Sequence, residues 1–232
     1  MSHLQAPATL ADVVRTQAYI RKSAIAFEFE GRKTSFVAVD TNSNRVANGL
    51  MALGIKPNDR IAYLGKNSDT FFEVWFGAIK ANTVLVPINW RLAAAEIAFI
   101  ADDCKATVLF VGPEFVELAR GTKYQLPSVR TFVALAGGAP EWADFAAWRD
   151  EQSDDDPKLA SSEQDVAIQL YTSGTSGQPK GAMLSHANFL SNFQSWRGTA
   201  QVTEWRWNIV TTDDVLLLPL PLFHIAGISL AR

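Results

Sequence analysis

The sequence predicts an α/β fold with mainly parallel sheets flanked by helices, and three observations lead to this prediction. Short apolar runs typical of buried strands alternate with longer stretches of helical periodicity along the chain. The composition, with 48% hydrophobic and 19% charged residues and a net charge of −3, is that of an ordinary globular protein. A length of 232 residues is enough for one core, or for one core and a small annex.

Six apolar runs are the predicted strands, at residues 60–65, 84–88, 107–111, 131–135, 166–171 and 215–218. Six stretches with helical periodicity are the predicted helices, at residues 10–20, 41–53, 69–80, 92–103, 142–149 and 186–196. Ser185 stands immediately before the last helix and is its predicted N-cap. Because helices separate successive strands, we expect most neighbouring strands to run parallel.

A polar, acidic connection at residues 149–165 separates the first block of strands from the strand at residues 166–171. It contains three consecutive aspartates, Asp154, Asp155 and Asp156, a pattern that a metal site could share. Adjacent side chains point in different directions and Pro157 interrupts the run, so we expect solvated acids and no metal site.

The run from Tyr171 to Gly181, Tyr-Thr-Ser-Gly-Thr-Ser-Gly-Gln-Pro-Lys-Gly, is the strongest functional signal in the chain. Its glycines let backbone amides turn inward, its hydroxyls add donors, and Lys180 adds a mobile positive charge. The run lies between one predicted strand and a second short apolar run at residues 182–184, so its ends are held. Such a loop could wrap a polyphosphate, and the alternative is a flexible surface connection.

Two common phosphate-binding patterns do not fit this run. The P-loop of NTPases needs Gly-Lys followed by Ser or Thr and a helix, whereas here Pro179 precedes Lys180 and Gly181 follows it. The dinucleotide-binding pattern needs a leading Gly-x-Gly, which Gly174 and Gly177 do not provide. The run therefore belongs to neither class.

Together with Ser-His-Ala-Asn at residues 185–188, the run resembles the AMP-binding signature of the adenylate-forming superfamily. That superfamily holds acyl-CoA and aryl-CoA ligases, peptide-synthetase adenylation domains and firefly-type luciferases. Every position of its Thr-Ser-Gly-Ser/Thr-Thr/Ser-Gly-x-Pro-Lys-Gly core is present between Thr172 and Gly181. The amino-terminal half follows the order of the superfamily's first subdomain, with Asn58 and Asn82 where glycine is usual. Asparagine tolerates left-handed backbone, so neither change threatens the fold.

A second element, Leu-Pro-Leu-Pro-Leu-Phe-His-Ile-Ala-Gly at residues 218–227, resembles the Pro-Leu-Phe-His-x-x-Gly segment of acyl-CoA and aryl-CoA ligases. In those ligases the histidine borders the pocket that holds the carboxylate substrate. Taken alone, His224 in an apolar run would be interpreted as a core histidine. Peptide-synthetase adenylation domains carry an aspartate at the position of His224, which pairs with an amino acid's ammonium group. The resemblance therefore favours an acid with an uncharged acyl or aryl tail.

The resemblance implies ATP-dependent activation of a fatty or aromatic carboxylic acid, with ATP, Mg²⁺ and coenzyme A as the cofactors. An acyl-adenylate forms first, and the thiol of coenzyme A then displaces AMP to give a thioester. Lys180 and His224 are the implied catalytic residues. The implied phosphate-binding residues are Thr172, Ser173, Gly174, Thr175, Ser176, Gly177 and Lys180.

The resemblance also implies an amino-terminal portion of the large domain of a longer enzyme. The Tyr-Gly-x-Thr-Glu element, the later aspartate motif, the hinge and the lysine-bearing carboxy-terminal domain of the superfamily are not found in the sequence. We therefore expect the isolated chain to be inactive. Residues 1–165 are expected to form a first α/β subdomain that ends in the acidic connection. Residues 166–232 would hold the phosphate-loop strand and the start of an incomplete second subdomain.

Composition and charge argue against several partners and bear on the expected location of the protein. A calculated isoelectric point near 5.6 without a block of Lys and Arg argues against nucleic acid. The sequence has no apolar run of roughly 20 residues, so no transmembrane segment is predicted and a cytoplasmic location is expected. The lone Cys104 excludes an internal disulfide and a cysteine-based zinc site. A homodimer is one expected assembly, and a stand-alone nucleotide-binding or structural α/β module is the alternative to a ligase.

Overall fold

The computed structural model describes residues 6–137, 139–172, 178–191 and 214–230. Its strands are β1 Ile25–Phe29, β2 Arg32–Ser35, β3 Arg60–Leu64, β4 Val84–Pro87, β5 Val108–Val111, β6 Thr131–Ala134, β7 Ala143–Asp144, β8 Val166–Thr172 and β9 Lys180–Ser185. Its helices are α1 Leu10–Arg21, α2 Phe36–Ala52, α3 Asp69–Lys80, α4 Ala94–Asp103, α5 Val116–Thr122, α6 Phe145–Asp150, α7 at residues 186–191 and α8 Ile225–Leu230.

Seven of these strands form one sheet in the order β7-β6-β5-β3-β4-β8-β9. All neighbouring pairs in it are parallel except β8 with β9, which form an antiparallel pair at the end of the order. The predicted α/β fold with a mainly parallel sheet is confirmed. Strands β1 and β2 form a separate antiparallel hairpin that the sequence analysis missed.

The central strands β3, β4 and β5 are buried on both faces, as strands of parallel sheets usually are. Along β3, Ile61 and Tyr63 pack into one apolar cluster, with α2 and α3, while Ala62 and Leu64 pack into a second cluster with α4. Successive side chains of a strand point to opposite faces, so one apolar run supplies both clusters. This explains why the predicted strands appear as continuous apolar runs in the sequence.

The predicted strand at 215–218 is wrong, because residues 214–219 have no regular structure. Val215 is 95% exposed and Leu217 is 81% exposed, and a strand requires a neighbouring backbone to pair with. The other five predicted strands are confirmed, with ends shifted by no more than one residue.

The ends of several predicted helices differ from the structure because a capping side chain decides where each helix begins. Helix α2 begins at Phe36, five residues before the prediction, since Ser35 Oγ accepts a hydrogen bond from Ala38 N at 3.2 Å. Helix α6 begins only after Asp144, which caps it. The predicted cap of α7 is confirmed, with Asn188 N donating to Ser185 Oγ at 3.4 Å. Residues 192–196 of that predicted helix lie outside the described part of the chain.

The two asparagines that replace usual glycines take the left-handed backbone expected of them. Asn58 has φ +67° and Asn82 has φ +51°. The two turns are adjacent, because Asn58 N donates to Asn82 O at 2.8 Å. The prediction that asparagine would be tolerated at both positions is confirmed.

The acidic connection packs against the first two helices, so the expectation of solvated acids is wrong for Asp156. Arg15 donates to both carboxylate oxygens of Asp156, at 2.7 and 2.9 Å, and this two-point ion pair lowers the exposure of Asp156 to 19%. Asn44 Nδ2 donates to Asp154 O at 3.0 Å. Among the described residues, no three side chains of the kinds that bind metals gather at one point. None of the described helices is long and apolar enough to cross a membrane.

Candidate functional site

The described ends of the phosphate-loop run lie in the paired strands β8 and β9. Thr172, the last residue of β8, is paired in register with Lys180, the first residue of β9, and both are exposed. The hairpin therefore brings the two ends of the predicted loop together. The remaining predicted ligands lie outside the described residues, and these are Ser173, Gly174, Thr175, Ser176 and Gly177.

Gly181 is required for a reason that the sequence did not indicate. It lies opposite Tyr171 in the hairpin, and its φ is not in the left-handed region. A Cβ at this position would lie 2.3 Å from Gln169 Nε2 and 3.0 Å from Tyr171 Cζ. The glycine therefore makes room for side chains that reach across from β8, and it does not turn the backbone.

The second predicted element ends in a tight turn that leads into α8. His224 N donates to Pro221 O at 3.1 Å, and Gly227 N donates to His224 O at 3.0 Å. The imidazole is exposed, so the interpretation of His224 as a core histidine is wrong. Its Nδ1 accepts a hydrogen bond from Ala226 N at 3.2 Å, which leaves Nε2 as the protonated nitrogen of the neutral ring.

Asn67, which the sequence analysis missed, holds the segment before His224 at two points. Its Nδ2 donates to Leu220 O at 2.8 Å, and its Oδ1 accepts from Leu222 N at 3.0 Å. One amide side chain thereby pairs with the backbone as a neighbouring strand would. The signal available in the sequence was the polar run Lys-Asn-Ser at residues 66–68, which directly follows the predicted strand at residues 60–65.

Aromatic packing supports the same segment from the loop after β4. The rings of Trp90 and Phe223 meet edge to face with centroids 6.3 Å apart. The guanidinium carbon of Arg91 lies 4.8 Å from the centroid of Trp90 and 5.8 Å from that of Phe223. Phe223 is therefore held against the loop after β4, and His224 follows it directly.

The two predicted elements lie at the same end of the parallel strands. Strands β3, β4 and β8 are adjacent and parallel, so their carboxyl ends lie on the same side. Asn67 follows β3, Trp90 follows β4, and Thr172 ends β8. The carboxyl edge of a parallel sheet is where open α/β folds bind ligands.

Among the described residues, no cluster of three or more side chains that could hold a metal ion lies at this edge. Mg²⁺ prefers carboxylates and phosphate oxygens, and it usually binds through only one or two protein carboxylates. Such an ion would take most of its oxygen ligands from phosphate groups and water.

Comparison with known proteins identifies the family. The family model described as AMP-binding enzyme matches residues 14–231. The chain belongs to this family. A fatty acid–acyl-carrier-protein ligase, ScoC, of Streptomyces coeruleorubidus is 38% identical over 201 residues, which cover 86% of this chain and 36% of that protein. A feruloyl-CoA synthase of an Amycolatopsis species is 33% identical over 207 residues, which cover 89% of this chain and 38% of that protein.

Solved structures lead to the same family. An inhibitor-bound crystal structure of the N-terminal domain of FACL13 from Mycobacterium tuberculosis superimposes with a TM-score of 0.85 at 29% identity. The match covers 97% of this chain and 54% of that one. The chain thus spans little more than a third of the length of the two relatives named above. The predicted resemblance to the adenylate-forming superfamily is confirmed.

Proposed function

We propose that the chain carries the phosphate-binding and carboxylate-binding parts of an ATP-dependent acid–thiol ligase. One observation carries the proposal: the hairpin tip with Thr172 and Lys180 and the loops that hold His224 all belong to the carboxyl ends of β3, β4 and β8. Membership of the AMP-binding family supports it. A carboxylate held beside His224 and a triphosphate held at the loop end of the hairpin could then approach each other at this end of the sheet.

In the first half-reaction, a carboxylate oxygen of the acid attacks the α-phosphorus of ATP. The bond from that phosphorus to the bridging oxygen of pyrophosphate breaks, and an acyl-adenylate and pyrophosphate result. In the second, a thiolate attacks the acyl carbon and AMP leaves with the bonding electrons. Coenzyme A is the proposed thiol, and a thiol on an acyl carrier protein is the alternative that the relative ScoC suggests.

Lys180 is proposed to offset the negative charge that accumulates on the departing pyrophosphate. Its ammonium group is mobile and exposed, so it can follow the phosphates as the bond breaks. Backbone and hydroxyl donors between Thr172 and Gly177 are proposed to hold the β- and γ-phosphates in line. Mg²⁺, when bound, would neutralise phosphate charge, and it would do so mainly through the phosphate oxygens of ATP.

His224 is proposed to border the bound carboxylate. Its Nδ1 is already used within the turn, so the Nε2 hydrogen is the group available to donate to a carboxylate oxygen. Phe223, which directly precedes His224 in the chain, packs against Trp90. The chain has no carboxylate at position 224 to pair with an amino acid, which favours fatty or aromatic acids.

The division of the chain at residue 165 stays a proposal, although β8 and β9 pair into the same sheet as β3 to β7. The isolated 232 residues are proposed to be inactive, because adenylation needs groups that the relatives hold elsewhere in their longer chains. A cytoplasmic location and a homodimer are also proposed, from the sequence alone.

Pyrophosphate release by the product of the complete native reading frame, measured across a panel of fatty and aromatic acids, tests this function. We expect release that depends on one class of acid, and Lys180→Ala should slow it by about 10² to 10³, the scale for loss of one electrostatic donor. Lys56→Ala is the matched control, since Lys56 is exposed and lies before β3, at the amino end of the parallel strands. If no acid stimulates release, or if Lys180→Ala leaves release unchanged, the proposal fails.

A further inference from the structure

Two side chains of β8, Gln169 and Tyr171, form a connected group with Asp103 of α4, and we call this group the hairpin brace. Tyr171 Oη donates to Asp103 Oδ2, at the end of α4. Tyr171 Oη also accepts a hydrogen bond from Gln169 Nε2 at 3.1 Å. Gln169 Oε1 accepts in turn from Arg60 Nε, at the start of β3, at 3.3 Å. The brace of Asp103, Gln169 and Tyr171 therefore links the hairpin to a helix and to a central strand.

The brace adds to what the sheet provides at the loop end of the hairpin. β8 pairs with β9 from Val166 to Thr172, and it lies beside β4, with Leu85 paired with Ile168. Tyr171 lies three residues beyond that pair, and β9 ends the strand order. Within the described residues, the brace side chains thus attach the end of the hairpin that carries Thr172 to α4 and to β3.

The brace also covers the residue that follows Lys180. Gly181 is paired with Tyr171, and a Cβ on it would meet both Gln169 Nε2 and the Tyr171 ring. The brace side chains consequently lie across both strands of the hairpin at its loop end. A shift of the Tyr171 ring would change the path of the backbone on either side of the loop.

The chemistry of the Tyr171–Asp103 contact makes it a strong one. Burial, and next the hydrogen bond to Asp103, raise the pKa of Tyr171, so the phenol stays protonated and donates throughout the physiological range. A hydroxyl that donates to a carboxylate makes a charge-assisted hydrogen bond, which is shorter and stronger than one between neutral groups.

We propose that Tyr171 is a positioning residue that, through Asp103, fixes the hairpin end bearing Thr172 and Lys180 in the orientation that binds the phosphates of ATP. This inference rests on the proposed function, because it assigns the loop to ATP. Because the Tyr171 hydroxyl is bonded to Asp103 and Gln169, its removal should act on the hairpin, weakening ATP binding and leaving the affinity for the acid unchanged. A residue with a purely structural role would not separate the two substrates in this way.

The test uses Tyr171→Phe in the product of the complete native reading frame. The substitution keeps the ring and removes only the hydroxyl. We expect KM and Kd for ATP to rise by about tenfold, the scale for losing a hydrogen bond to a charged group, with KM for the acid unchanged. Tyr124→Phe is the matched control, since Tyr124 is 97% exposed.

Variants at Asp103 establish that the effect passes through the brace. Asp103→Ala should raise Kd for ATP as Tyr171→Phe does, and the double variant should add little to either single change, since both remove one interaction. Asp103→Asn keeps an acceptor oxygen but removes the charge, so it should restore part of the affinity that Asp103→Ala loses.

The proposal is overturned if Kd for ATP in Tyr171→Phe equals that of Tyr124→Phe, or if the double variant multiplies the two single effects. A lowered melting temperature with unchanged Kd for ATP also overturns it, because the brace would then only stabilise the fold. If the unmodified protein binds ATP but activates no acid, the ligase function fails while Kd still tests the brace. If it binds no ATP, both fail.

Discussion

Replacing Gly227 by alanine tests whether the segment that carries His224 is held as rigidly as the structure indicates. Gly227 lies in α8, three residues after His224. A Cβ on it would lie 2.2 Å from Pro221 O, 2.7 Å from Pro221 C and 2.9 Å from Leu220 O. All three are backbone atoms. Asn67 also holds this stretch of backbone, through hydrogen bonds with Leu220 O and Leu222 N. A rotamer change therefore cannot relieve the clash.

The size of the effect follows from the required movement. A carbon and a carbonyl oxygen in contact lie about 3.3 Å apart, so the turn must open by roughly 1 Å. A displacement of about 1 Å in a substrate-positioning element can lower the rate by about 10²-fold. Alanine has a higher helix propensity than glycine by about 1 kcal/mol, so α8 itself should not be lost. We expect kcat/KM for the acid to fall by about 10²-fold.

The assay is pyrophosphate release at saturating ATP over a range of acid concentrations. Gly121→Ala is the matched control, because Gly121 lies in α5 and a Cβ there would meet no atom within 4 Å. KM for ATP should stay unchanged in both variants. If Gly227→Ala retains kcat/KM for the acid within about threefold of Gly121→Ala, the turn yields without moving His224, and the reasoning is refuted.

Three further changes test other parts of the structure. Asn67→Ala should raise KM for the acid without changing KM for ATP, because it frees the backbone before His224; an equal rise in both would contradict this role. Burial lowers the pKa of His186, whose Nδ1 accepts from the first backbone amide of α1, so its stability contribution is present above about pH 6.5 and lost as pH falls further. Urea unfolding at two pH values should therefore show a smaller acid-side loss in His186→Gln, and an unchanged loss would contradict the assignment. Lys80→Ala should lower the free energy of unfolding by about 3 kcal/mol, because it leaves Asp40, 2.5 Å away, without its buried partner. The exposed control Lys105→Ala should lower it by less than about 1 kcal/mol, and equal losses would refute this account.

The fold was largely predictable because burial on both faces of a parallel sheet leaves a continuous apolar run for each strand. β3, β4 and β8 were found in this way, and they are the strands that position the candidate site. The run at residues 215–218 has the same composition but pairs with no described strand. Apolar composition therefore indicates which segments are suited to a strand, and only a neighbouring backbone decides whether one forms.

Capping explains most of the differences at helix ends. Ser35 and Asp144 are each the N-cap of a helix. The side chain of each accepts a hydrogen bond from the backbone amide three residues on. Such residues were present in the sequence, but helical periodicity alone does not give the first residue of a helix. Periodicity predicts where a helix lies, and the cap decides where it begins.

The sequence by itself determined the family, the α/β class and the two elements that contain Lys180 and His224, because each depends on residues that are close together in the chain. Tertiary structure alone decided that Asn67 holds the His224 segment from 153 positions away and that Tyr171 reaches Asp103 from 68 positions away. Local spacing encodes the conformation of a segment and the face it buries. It does not encode which distant side chain will lie against that face, since this depends on how the strands are ordered in the sheet.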